Sequence, residues 1–133
     1  MLTIDDVERV LSEHPWLKPP KNIIYVLEEV YTYHPEYGTL FFRGLQPNWL
    51  RDTIVIVAPL ATEETVVHEV LHTYGLGETA THMLAPKLRI FREVFKPFIK
   101  REIKYRECSY CEEFKIIHTK FKDKIKHYVL VEG

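Results

Sequence analysis

Six residues, Thr53–Ala58 (TIVIVA), constrain the fold more than any other stretch of this chain. The run is almost unbroken in β-branched side chains, which lose rotamer freedom in a helix and pack well on a pleated surface. No polar residue alternates with them after Thr53, so the run reads as a short strand buried on both faces. Pro59 stops it. Thr62 then caps a helix whose first turn holds Glu63 and Glu64, where acids meet the positive helix end. Gly75 stands where a helix C-terminal glycine is expected. The buried strand therefore feeds directly into a helix that carries HEVLHTYGLGE, His68 to Glu78.

The elements around this unit follow from spacing. Thr3 is a plausible N-cap, and Ile4, Val7, Val10 and Leu11 give residues 4–13 an amphipathic helical period. Pro15, Pro19 and Pro20 end that helix in a stiff connector. Asn22–Tyr33 is rich in Ile, Tyr and Val and reads as a strand, extended or bulged near Glu28 and Glu29. His34–Gly38 reads as a turn and Thr39–Arg43 (TLFFR) as the second strand of a hairpin. Gly44–Asp52 is a loop with Trp49. From Pro86 onward the period is helical, with Leu88, Phe91, Val94, Phe95, Phe98 and Ile99 as an apolar stripe assigned to the core. A second helical stretch runs from Cys111 to Ile125, and His127–Val131 (HYVLV) reads as a closing strand. The expected plan is α+β: a small, mostly antiparallel sheet of about three to four strands packed against the motif helix and C-terminal helices.

At 133 residues the chain suits one domain, 1–133. The formal net charge of -1 provides no global basic field and argues against a nucleic-acid partner. No apolar run approaches the ~20 residues of a membrane-spanning helix. The N-terminal MLTIDDVERV has acids where a secretion signal would have Lys or Arg, which points to a cytoplasmic protein. A single Gln (Gln46) and two Asn (Asn22, Asn48) beside abundant Lys and Glu fit a thermophile.

On a helical wheel, His72 lies about 40° from His68 and Glu69 about 100° away. Histidines at i and i+4 can bind one metal ion together. Glu69 is placed beside the first of them to accept a proton, not to ligate. Gly75, three residues after His72, lets the chain turn and bring back a third ligand. Three residues are open for that role: Glu78, one helical turn later His82, and Glu93 on the next helix.

The HExxHxxGxxE pattern of His68 to Glu78 resembles that of the zincin-type zinc metallopeptidases, most closely the metzincin branch, which usually has His at the last position where this chain has Glu78. Carboxylates also ligate zinc. The resemblance implies a zincin-like fold, Zn²⁺ held by His68, His72 and Glu78, and Glu69 as general base for a metal-activated water that attacks a peptide bond. His82–Pro86 (HMLAP) is somewhat similar to the methionine-containing turn beneath the metal in metzincins, with Met83 as the equivalent residue. The resemblance also implies a sheet strand that aligns the substrate, either Thr39–Arg43 or Thr53–Ala58. Tyr105, Tyr110, His118 and Tyr128 are all candidates to stabilise an oxyanion.

Other features have simpler readings. Cys108 and Cys111 form one CxxC, which lacks the two further ligands of a structural zinc site, and read as two thiols or a local disulfide. Lys96–Arg106 (KPFIKREIKYR) could touch nucleic acid but reads more simply as the solvated face of an amphipathic helix. Trp16 and Trp49 read as packing residues. Besides a DNA-associated regulator carrying a peptidase-like domain, suggested only by the basic stretch Lys96–Arg106, two functions from different classes follow. One is a zinc metallopeptidase acting on a peptide or protein substrate. The other is a non-catalytic zincin-like protein in which metal stabilises an interaction module, an option strengthened by how little chain is left for a substrate cleft.

Overall fold

Thr3 starts the first helix as its side chain demands. Its hydroxyl accepts from the Asp6 N–H at 3.1 Å, and the Asp6 carboxylate accepts from the Thr3 N–H at 2.9 Å, a reciprocal cap that satisfies two otherwise orphaned donors. The computed structural model describes residues 1–47, 50, 52–95, 101–108 and 124–131. In chain order the elements are α1 (Ile4–Ser12), β1 (Asn22–Val26), β2 (Val30–His34), β3 (Gly38–Phe42), β4 (Gly44–Leu45), β5 (Thr53–Val57), α2 (Glu63–His72), α3 (Glu78–Phe95), β6 (Tyr105–Cys108) and β7 (Ile125–Leu130).

The architecture is α+β. The main sheet has the order β4-β5-β1-β7-β6, and β2 and β3 form a separate two-stranded sheet. The sheet is larger than expected, with five strands, and it is mixed: β1 runs parallel to β5 and antiparallel to β7. The buried run Thr53–Val57 lies inside it, between β4 and β1. Side chains alternate across the sheet as the pleat requires. Ile23 and Tyr25 of β1 and Ile54 and Ile56 of β5 meet Val7, Val10 and Leu11 of α1 and Val66, Val70 and Leu71 of α2 in one core. Ile24, Val55 and Ile125 gather on the opposite face.

Four expectations need correction. The segment 22–33 is not one strand. It breaks after Val26, and β2 leaves the main sheet to form an exposed hairpin with β3. The break falls at Glu28 and Glu29, where two adjacent charges suit a central strand poorly. The helix assigned from Pro86 starts eight residues earlier, at Glu78, with Pro86 inside it. Pro86 has no N–H, so the His82 carbonyl loses its helical donor there. The buried face of α3 is formed by Thr81 and Ala85, with Leu88 partly buried. Ile90, Phe91 and Val94 are exposed, so the aromatic stripe is not core among the described residues. Small side chains let α3 approach α2 closely, which an aromatic face would prevent.

The fourth correction concerns the C-terminal part. Residues 101–104 are not helical, and Tyr105 and Arg106 belong to β6. The Arg101 guanidinium donates to the carbonyls of His14 and Leu17 at 3.1 and 2.8 Å, so it ties the chain to the α1 connector. The stretch expected as strand at 127–131 is β7, though interior rather than closing, and it includes Ile125, assigned above to a helix. Trp49, Phe98, Ile99, Tyr110, Cys111 and His118, and with them most of the second C-terminal helix, lie outside the described residues. Cys108 is disulfide-bonded. No helix among the described residues is long and apolar enough to cross a membrane.

Candidate metal centre

The site is built by two helices and the turn between them. Thr62 caps α2 reciprocally with Thr65, and the helix runs to His72, so His68 and His72 stand one turn apart. Gly75 then adopts φ +82°, a left-handed conformation that glycine takes without a Cβ clash. The chain reverses and α3 starts at Glu78.

This reversal brings Glu78 onto both histidines. His72 Nε2 lies 3.0 Å from His68 Nε2 and 2.9 Å from Glu78 Oε1. His68 Nε2 lies 3.3 Å from Glu78 Oε2. Ligand atoms on one tetrahedral zinc ion, each about 2.0–2.1 Å from it, stand about 3.3 Å apart. The three side chains are therefore close enough to share an ion, with the two histidines facing different oxygens of Glu78. His82, one turn along α3, places its Nε2 3.3 Å from Glu78 Oε2. Glu93 is not part of the cluster. It sits about 22 Å further along the α3 axis than Glu78, at 1.5 Å per residue, and pairs with Arg92 at 2.6 Å.

The hydrogen bonds around His72 orient its ring. His72 Nδ1 is 2.8 Å from the Leu76 carbonyl oxygen. A carbonyl only accepts, so Nδ1 donates there, and Nε2 is the ring atom turned toward Glu78. A lone pair and a carboxylate oxygen at 2.9 Å repel unless a proton or a metal ion lies between them. Burial holds the His68 imidazole below its usual value, against the pull of Glu78, with His72 and His82 pushing it lower. Burial thus favours the neutral form that ligates metal.

Glu69 points into the same region from the adjacent position on α2. It is only 6% exposed. One oxygen, Oε1, lies 3.9 Å from His68 Nε2, and the other, Oε2, is buried without a hydrogen-bond partner. Burial pushes its carboxyl up to about 7, with His72 pulling down and Glu78 pushing up. A carboxyl with that environment exchanges a proton readily near neutral pH.

Beside the cluster runs an open cleft. One lobe of about 470 Å³ is lined by Phe42, Leu45, His72 and Leu76. The other, about 380 Å³, is lined by Phe41, Arg43, Glu64, His68 and His82. Phe42, Gly44, Glu69 and Glu78 line both. A larger cavity of about 580 Å³ lies between the first turn of α2 and α3, but it includes none of the clustered side chains and shares Arg43, Thr62 and Glu64 with the second lobe. The sheet edge at the cleft is β4, paired to β5 on its inner side. Of the two strands named from sequence, β5 is interior, while Phe41, Phe42 and Arg43 of the segment Thr39–Arg43 line the cleft from outside the main sheet.

Several sequence candidates are positioned elsewhere. The Tyr105 hydroxyl donates to the Pro20 carbonyl at 2.6 Å, and Tyr128 packs edge-on against Tyr25. Neither lines the cleft. Met83 is on α3 and 61% exposed, so residues 82–86 are helix and not a turn beneath the cluster. Two residues were missed. Gly44 packs its backbone directly on Glu69 and Thr65. Arg43 is the one Arg or Lys among the described residues that lines either lobe. Only the fold brings them there, since nothing in RGL marks proximity to α2.

No protein-family model, curated protein or solved structure matches this chain.

Proposed function

We propose that this chain is a zinc-dependent peptide hydrolase with a zincin-type site. The observation that carries the reading is the convergence of His68, His72 and Glu78, with side-chain atoms 2.9–3.3 Å apart, beside the buried carboxyl of Glu69 on the wall of an open cleft. His68, His72 and Glu78 would hold the ion. Zinc bound there supplies Lewis acidity toward a carbonyl oxygen and acidifies water.

The remaining work falls to the chain. Glu69 accepts the proton of the attacking water at its carboxylate and returns it to the departing amine. The Leu76 carbonyl keeps His72 in the tautomer that ligates. Gly44 fixes the Glu69 side chain by contact. Arg43 provides positive charge in a cleft otherwise lined by Glu64, Glu69 and Glu78, suited to a developing oxyanion or a substrate carboxylate. A substrate peptide lies along the cleft between β4 and the start of α3.

A second reading has its own support. The β2–β3 hairpin exposes Tyr31, Tyr33, Tyr37 and Phe41, an aromatic surface of the kind enriched at protein interfaces. In that reading metal stabilises the fold and the hairpin binds a protein partner without catalysis.

Elemental analysis of untagged protein tests the site. The wild type should carry about one zinc and His68→Ala none. Glu69→Gln then separates the two readings. It should retain zinc while peptide cleavage falls about 10²–10⁴-fold, the range for loss of a general base. A zinc-loaded wild type that cleaves no peptide in a broad library leaves the non-catalytic reading.

A further inference from the structure

We propose that His82 is a fourth metal-ligating side chain, which closes the site in the resting protein and must leave before a substrate can enter. The inference rests on the zinc-site reading above and concerns how that site is regulated.

The geometry of His82 matches that of the other two histidines. Its Nε2 is 3.3 Å from Glu78 Oε2, the same separation that His68 Nε2 has from that oxygen. The ligand atoms of His68, Glu78 and His82 all lie within 4.8 Å of one another. The ring centres of His68 and His82 are 5.1 Å apart and those of His68 and His72 4.7 Å apart. Two imidazoles bound through Nε2 to one tetrahedral ion, with Zn–N of about 2.05 Å, would have their centres about 5 Å apart. The arrangement is also paired. His68 and His72 are an i, i+4 couple on α2, and Glu78 and His82 are an i, i+4 couple on α3. Each helix thus presents two donors from one side, with His68 and Glu78 the members in contact across the pair.

Four protein ligands are the mark of a closed zinc site, whereas catalytic sites keep one position open. The four ligands here are not held equally. The His68 and His72 side chains are 20% and 15% exposed, and His72 is anchored at Nδ1 to Leu76. The His82 side chain is 70% exposed, as open as Glu78 at 68%, but Glu78 meets both His68 and His72 whereas His82 Nε2 meets Glu78. Among the described residues nothing hydrogen-bonds its Nδ1, and it lines only one lobe of the cleft. A change of rotamer moves it into solvent without disturbing the core. His82 is therefore the ligand that an entering carbonyl can displace, while the other three remain.

The test uses the full chain, loaded with zinc alone, as wild type and His82→Ala, with far-UV circular dichroism to establish that both are folded. Zinc-edge X-ray absorption counts the imidazoles on the ion. We expect three in the wild type and two in the variant, with zinc stoichiometry unchanged. The zinc Kd should rise at least about tenfold, since even losing a group that only supports a ligand costs 10–100-fold. Peptide hydrolysis should increase severalfold in the variant. Two imidazoles in both proteins overturn the fourth ligand, and a fall in hydrolysis overturns its closing role. Absence of zinc from the wild type overturns both this inference and the hydrolase reading. Three imidazoles in a wild type that cleaves nothing, even with His82 removed, would sink the hydrolase reading and support the fourth ligand.

Discussion

Replacing Gly44 with Ala should separate catalysis from metal binding. A Cβ at Gly44 would stand 2.8 Å from Thr65 Cγ2, 2.9 Å from Glu69 Cγ and 3.1 Å from the Val55 carbonyl oxygen. Two of these do not yield easily. Thr65 is β-branched, buried and engaged through its hydroxyl with the Thr62 N–H at 3.0 Å. The Val55 oxygen is backbone of a central strand. Glu69 is the member with freedom to shift, and it is the proposed base. Overpacking a tight site costs about 1–3 kcal/mol. The loss of glycine freedom in the unfolded chain returns about 0.4–1 kcal/mol. A net destabilisation of about 1–2 kcal/mol is expected from these two terms. A displacement of the base by about 1 Å lowers kcat by about 10²-fold. Zinc content should stay at the wild-type value, because the atoms nearest the added Cβ belong to Thr65, Glu69 and Val55 and not to His68, His72 or Glu78. The assays are urea unfolding, elemental analysis and peptide hydrolysis on the same preparation. Wild-type stability together with wild-type kcat would refute the close approach of β4 to Glu69 and with it the positioning role of Gly44.

Further outcomes follow from other residues. Gly75→Ala should cost about 1–2 kcal/mol in urea unfolding, the price of a left-handed non-glycine residue, because its φ is +82° while nothing lies within 4 Å of the added Cβ; a neutral effect would show that this turn is not left-handed. Thr62→Ala should destabilise by about 0.5–2 kcal/mol through loss of the α2 cap, with zinc content retained. His14 is 2% exposed, and burial, helped by Arg92 and opposed by its bond to Val10 and by Glu13 and Glu63, lowers its pKa from 6.5. The unfolded chain therefore binds the proton first as pH falls, so stability declines below about pH 6.5 and continues to fall until the folded-state value is passed. Urea midpoints measured from pH 7.5 to 5 should show this slope in wild type and a shallower one in His14→Phe; equal slopes would exclude His14 as its source.

The parts of the fold that sequence disclosed are those set by local chemistry. Thr3 and Thr62 satisfy their helix ends through neighbours three residues away, so the caps are visible in any short window. The run at Thr53–Val57 has one stable conformation once buried. The spacing of His68, His72 and Glu78 is likewise local, and the fold brings them together. What was hidden depends on partners distant in the chain. Nothing in Tyr105–Cys108 reads as a strand until β7 offers a ladder. The exposed aromatics of α3 imitated a core stripe, while the contacting face was marked only by Thr81 and Ala85, residues with little hydrophobic signal. Pro86 was a natural helix start by propensity, and tertiary packing overrode it. The placing of Gly44 and Arg43 at the cleft depends on β4 pairing with β5, which no local pattern encodes.

All four side chains of the cluster fall within fifteen consecutive residues, 68 to 82. The sheet is assembled quite differently, with Asn22 paired to Val129 across most of the chain. Loop-closure entropy rises with the length of chain that must be closed, so the helix–turn–helix can form before the central strands find one another. An ion captured by that unit would be bound by a chain whose sheet is still unmade. Folding could then begin at the chemistry and finish at the scaffold, with the helical hairpin serving as a template on which β5 and later β1 are laid.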